Sequence, residues 1–135
     1  MRSAVDSSVL IDVFSASRSH LKLSRRALER ALSEGSVVAC DVVWAEVRAH
    51  FASESSFAEA MAAAGVEFDP CDAQCSAAAG EAWREYRRRG GTRTKLLPDF
   101  LVAAHAMARA ERLVTRDRGF ARRYFRGLTV LDPSG

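Results

Sequence analysis

Short apolar runs recur along this chain, each followed by a segment with helical spacing, and that alternation narrows the possible folds more than any other feature. Residues 3–6, "SVVAC" (36–40), "VEF" (66–68), "RLVTR" (112–116) and "LTVL" (128–131) are the strand candidates. The first intervening segments read as a short helix through Phe14 and an amphipathic helix over 20–34, with Leu21, Leu28 and Leu32 apolar and Gly35 ending it. Asp41 is placed to cap a third helix reaching about Phe51, with Trp44, Val47 and Phe51 on one face. An alanine-rich helix over 56–64 stops at Gly65, and a long one over 72–89 stops at Gly90 and Gly91. An almost wholly apolar helix, "DFLVAAHAMARA", begins beside Pro98, and "RGFARRYF" (118–125) predicts a last short one. Strands alternating with helices build an α/β/α sandwich around a mainly parallel sheet of four to five strands. In such open sheets the working crevice lies at the carboxyl ends of the strands.

The 135 residues are 48% hydrophobic, enough for one core, so a single domain over 1–135 is expected. No stretch approaches the ~18 apolar residues of a membrane span, and the first residues lack a basic region followed by an apolar signal core. No membrane association and a cytoplasmic location are therefore expected. The three cysteines, Cys40, Cys71 and Cys75, are an odd count without the paired four-ligand spacing of a zinc site, and are expected to be reduced thiols.

Against that apolar pattern, certain acids do not fit. Asp6 and Asp117 each follow apolar residues at the ends of strand candidates, so both are expected to point into the carboxyl-end crevice. Glu46 sits one turn into the helix after the second strand, neighboured at helical spacing by Val42, Val43, Ala49 and His50. Asp99 opens the apolar helix. Taken singly, each has an ordinary reading: Asp6, Asp99 and Asp117 as helix caps or first-turn acids, Glu46 as an exposed acid paired with Arg48 or His50. Taken together they place four carboxylates near one rim in apolar surroundings, which is costly unless something positive binds among them. Mg²⁺ or Mn²⁺ suits carboxylate oxygens and water, and the set contains no His or Cys that would favour zinc.

The net charge is only +3, but the basic residues gather in "REYRRRGGTRTK" (84–95) and "TRDRGFARRYFR" (115–126). Two such runs bracketing the apolar helix suit a polyanion, with Arg93, Lys95, Arg116 and Arg118 as candidate RNA-binding residues. Trp83 and Tyr86 stand beside Arg84, Arg87 and Arg88 at positions that serve either base stacking or helix packing, and packing is the expected use. A carboxylate-held metal beside basic runs points to phosphodiester hydrolysis. One ion can activate water and offset charge on the leaving oxygen, and two about 4 Å apart divide those tasks.

"VDSSVLID", "VWAEV", "LLPDFLVAAHA" and "LVTRDRGFARRYF" together resemble, in order and over nearly the full chain, the PIN-domain ribonucleases, especially the VapC-type toxins of type II toxin–antitoxin pairs. The resemblance implies that Asp6, Glu46, Asp99 and Asp117 bind Mg²⁺ or Mn²⁺, with Asp6 and Asp99 as the leading ligands. It implies that Thr115 supports the site by hydrogen bonding, and that Ser7 stands where many relatives have Thr with the hydroxyl kept. It further implies a sheet order of 3-2-1-4-5, a homodimer, an RNA substrate such as tRNA or rRNA, and a small antitoxin that blocks the site. Phe14, Phe51 and Phe57 are candidates for the partner surfaces, though core packing is the expected role of each. Asp12 is expected on the outer face of the first helix, and His105 as a satisfied core or interface residue. A non-catalytic nucleic-acid-binding domain, or a regulatory α/β domain, is the competing reading. The phosphoacceptor version of the latter wants adjacent acids near the first strand and a late lysine, and no Lys follows Lys95.

Overall fold

A computed structural model describes residues 1–93, 96–117, 119 and 123–135. Its five strands, β1 (Arg2–Val5), β2 (Ser36–Ala39), β3 (Val66–Phe68), β4 (Arg112–Val114) and β5 (Val130–Leu131), form one sheet in the order β3-β2-β1-β4-β5. Every pairing is parallel, with Ala4 opposite Val38 on one side and Leu113 on the other. Among the described residues six helices connect and flank the strands: α1 (Ser7–Phe14), α2 (Leu21–Glu34), α3 (Asp41–Arg48), α4 (Glu54–Ala63), α5 (Ala73–Arg88) and α6 (Leu97–Arg109). This is the three-layer sandwich expected from the alternation.

The central strands show why they lie inside. Ser3, Ala4 and Val5 are all buried, as are Leu113 and Val114, since a parallel strand covered on both faces hides successive residues rather than alternate ones. The chain leaves β1 to build β2 and β3 on one side, then returns to lay β4 on the other. The switch in direction falls between β1 and β4, and opens a crevice at their carboxyl ends. Gly35 makes the turn into β2 possible. Its φ is 158°, and a Cβ there would stand 1.7 Å from the Met1 carbonyl oxygen, which already accepts the Ser36 N–H.

Several expectations need correction. Cys40, not Asp41, occupies the N-cap of α3, and the Asp41 carboxylate instead accepts the Cys71 N–H across the loop from β3. That helix ends at Arg48, short of Phe51. The buried stripe of α2 is Ser24, Ala27, Leu28 and Ala31, which leaves Leu32 exposed. Small residues line that stripe because α2 packs closely on α1. Asp12 is buried rather than outward, since Ser24 and Arg116 satisfy it there. Half of the segment expected as a helix over 118–125, residues 118 and 120–122, lies outside the described residues. Phe57 is fully buried, and Phe14 and Phe51 meet edge to face beside it. His105 is a satisfied core residue, its Nε2 2.8 Å from the Asp69 carboxylate. No helix among the described residues is long and apolar enough to cross a membrane.

Candidate functional site

Asp6 directly follows β1, at the switch point. It is the N-cap of α1, its Oδ1 accepting the Ser7 N–H at 2.8 Å, so its capping role is real. Oδ2 accepts two hydroxyls as well, from Thr115 at 2.6 Å and Ser8 at 3.0 Å. An ionised carboxylate offers about four acceptor positions, so three donors aim Asp6 without exhausting it. Capping and metal binding are compatible uses of this side chain, and the cap supplies the orientation.

Thr115 ties the two sides of the crevice together. Its hydroxyl donates to Asp6 and accepts the Asp117 N–H at 3.0 Å, so one buried side chain sets the acid after β1 and the loop after β4. Asp117 is half-buried and lies three residues past the end of β4 rather than on it. Ser7 reaches across to α3, donating to Glu46 Oε1 at 3.0 Å. Glu46 has neither of the cation partners entertained for it, because Arg48 turns to Glu54 at 3.2 Å and to the Phe51 carbonyl.

Asp99 sits in the first turn of α6, after Pro98, while the N-cap position belongs to Leu96, whose side chain makes no cap hydrogen bond. Desolvation is the largest influence on its carboxyl, followed by the charges of Asp6, Asp117 and Glu46, with Arg93 opposing them, and its pKa is pushed up to about 6. Glu46 is shifted the same way, by desolvation first and by Asp6, against the Ser7 hydrogen bond. The structure thus brings the four sequence-predicted acids into one electrostatic neighbourhood. Among the described residues, however, no three His, Cys, Asp or Glu side chains converge tightly enough to grip an ion as they stand. The hydroxyls of Ser7, Ser8 and Thr115 donate to the carboxylates of Glu46 and Asp6. An all-oxygen donor set with excess negative charge fits a hard divalent cation in chemistry.

The candidate basic residues divide. Arg93 is exposed, and its charge reaches Asp99. Arg116 is engaged elsewhere: Nε and Nη2 donate to the two carboxylate oxygens of buried Asp12 at 2.7 and 3.1 Å, so this arginine braces the crevice loop against α1 and is not a free phosphate ligand. Lys95 and Arg118 lie outside the described residues. Two contributors escaped sequence reasoning. The Ser8 hydroxyl was readable from its place two residues after Asp6. The Asp12–Arg116 brace, spanning 104 residues, left no local signal.

The fold agrees with comparison to known proteins. Residues 4–126 match the profile of the PIN domain, and the chain belongs to that family, whose members are typically nucleases that use divalent metal ions. Among solved structures, VapBC2 from Rickettsia felis bound to a DNA fragment from its promoter is similar at a TM-score of 0.72 and 18% identity, with 98% of each chain covered. VapBC-1 from nontypeable Haemophilus influenzae matches at 0.69 and 16%, over 100% of both chains. A toxin–antitoxin complex from Klebsiella pneumoniae matches at 0.67 and 23%, over 97% of both. At such identities the likeness is one of fold. No curated protein matches the sequence.

Proposed function

We propose that this chain is a Mg²⁺- or Mn²⁺-dependent endoribonuclease of one domain, acting in the cytoplasm as the toxin of a toxin–antitoxin pair. The observation that carries the reading is Asp99, a carboxyl driven up to about 6 by partial desolvation and by Asp6, Asp117 and Glu46, with Arg93 opposing. Such a cluster is stabilised by added positive charge. Asp6, Glu46, Asp99 and Asp117 would hold one or two ions. The bound metal supplies a nucleophilic water at neutral pH and offsets charge on the phosphoryl oxygens.

The chain's own residues orient the donors. Thr115 and Ser8 fix Asp6, Ser7 holds Glu46 toward it, and the Arg116–Asp12 pair steadies the loop that carries Asp117. Arg93 stands where a phosphate beside Asp99 would meet a cation. Solved relatives of this fold include VapBC complexes, which supports a small antitoxin as partner and motivates the expectation of a homodimer. tRNA and rRNA are the substrates to try first. With Mg²⁺ or Mn²⁺ the purified protein is expected to cleave structured RNA, and EDTA or Asp99→Asn to abolish cleavage with the circular dichroism spectrum retained. Undiminished cutting by Asp99→Asn would remove the metal reading, and failure of the unaltered protein to cut would leave a nucleic-acid-binding domain.

A further inference from the structure

The last turns of α5 carry a feature that the acid cluster does not use. Two clefts, of about 550 and 410 Å³, open on this part of the molecule, and Trp83 and Arg87 line both. The first cleft continues over Gly80, Arg84 and Arg88, and the second over Gly91 and Thr92 to Arg93. A line of positive residues around one indole therefore runs from the outer face of α5 to the arginine whose charge reaches Asp99.

Sequence proximity made Trp83 and Tyr86 equivalent, and the fold separates them. Tyr86 is packed against Phe100 and Tyr124, and its hydroxyl accepts the Arg93 N–H at 3.1 Å. Trp83 is half-exposed, and its indole N–H is buried with no hydrogen-bond partner among the described residues. Leucine or phenylalanine would fill that position without stranding a donor, so what the indole adds is a broad π surface. The Arg87 guanidinium lies over the ring, 5.7 Å from its centroid. Nucleic-acid bases stack on guanidinium planes as readily as on aromatic rings. Among the described residues neither Arg84 nor Arg87 has a carboxylate partner, whereas Arg88 and Arg89 both pair with Glu85. Arg84 lines the same cleft as the ring, where a phosphate beside a stacked base would lie.

We infer that Trp83 and Arg87 form a stacking platform for a single-stranded RNA segment, with Arg84 and Arg93 holding its phosphates and leading the strand from α5 toward the acidic crevice. This rests on the nuclease reading for the destination of the strand, but the platform's binding needs neither metal nor cleavage. The probe is a 2′-O-methyl oligouridylate of about ten nucleotides in metal-free buffer, so that binding is read apart from hydrolysis. In a Trp44→Phe background Trp83 is the sole tryptophan. Its fluorescence is expected to be quenched as the oligonucleotide saturates.

Trp83→Ala is expected to weaken binding roughly ten-fold or more, and Trp83→Phe to retain most of it. Replacing both Arg84 and Arg93 by Ala is expected to reduce the slope of log K against log salt by about 1.4 for a single strand. Three results would each overturn the platform: an unquenched Trp83 with unchanged affinity in both Trp83 variants, equal affinity for duplex RNA, or an altered oligomeric state in Trp83→Phe with unaltered oligonucleotide affinity. The last would make this face a contact between copies of the chain. Failure to cleave RNA with Mg²⁺ or Mn²⁺, alongside intact quenching, would defeat the nuclease reading and leave the platform standing.

Discussion

Asp69 and Asp99 both work against helix α6, and the protein treats them in opposite ways. Asp69 receives the Arg109 guanidinium through Nε at 2.6 Å and Nη2 at 2.9 Å, and has His105 at 2.8 Å and Arg2 at 3.1 Å. These donors, Arg109 foremost, hold its carboxyl far below the usual range despite burial. Asp99 faces three carboxylates with Arg93 as the opposing cation, and its carboxyl is driven up. An acid that serves the fold is neutralised by the fold. An acid left uncompensated beside other acids costs stability, and in the proposed function a metal ion is what compensates it.

Substituting the two residues separates these roles. Asp99→Asn is expected to lower the rate of RNA cleavage by about 100-fold or more, the scale on which loss of a group stabilising the transition state is felt. Because it removes an uncompensated charge, and allowing for solvent screening at a partly exposed position, it is expected to leave stability unchanged or raised by no more than about 1 kcal/mol. Asp69→Ala should do the reverse. Stripping His105, Arg109 and Arg2 of their acceptor is expected to cost about 2–3 kcal/mol in urea or thermal unfolding, with activity per folded molecule kept. If Asp69→Ala abolished cleavage in protein that is still folded, the division between structural and functional acids would fail.

Thr115→Val tests the link between the crevice walls. It keeps the shape and removes the hydroxyl shared by Asp6 and Asp117, so cleavage is expected to fall about ten-fold, with a stability loss of about 1 kcal/mol. The smallest effect concerns pH in metal-free protein. Asp99 has a folded value of about 6 against an ordinary 3.8, so the folded state binds its proton more tightly, and this contribution raises stability as pH falls from about 6 toward 4. Asp69, depressed in the fold, contributes stability that is present above the ordinary value of 3.8 and is lost as pH falls further. Unfolding midpoints should therefore peak between about pH 4 and 6. Asp99→Asn should flatten the alkaline side of that peak, and Asp69→Ala the acid side.

The fold was readable because its determinants are local. Each strand is a short apolar run, Ser53 and Asp72 cap the helices they precede, and Gly65 and Gly90 take positive φ where α4 and α5 end. The acids were readable because each breaks an apolar pattern next to an element boundary. The cations that answer acids were not. Asp69 meets His105 and Arg109 across 36 and 40 residues, and Arg116 meets Asp12 across 104, so in sequence Arg116 looks like any other member of a basic run. Such pairs arise when the sheet closes, and periodicity carries no trace of them. The same holds for the difference between Trp83 and Tyr86, which depends on the rings of Phe100 and Tyr124 meeting Tyr86.

The sheet order has a consequence for assembly. One of the two neighbours of β1 is β4, with Ser3 paired to Arg112 and Val5 to Val114. Asp6 follows β1, whereas Thr115, which aims it, follows β4 109 residues later in the chain. The rim is therefore built by no contiguous stretch of chain, and it takes shape only when β4 docks beside β1.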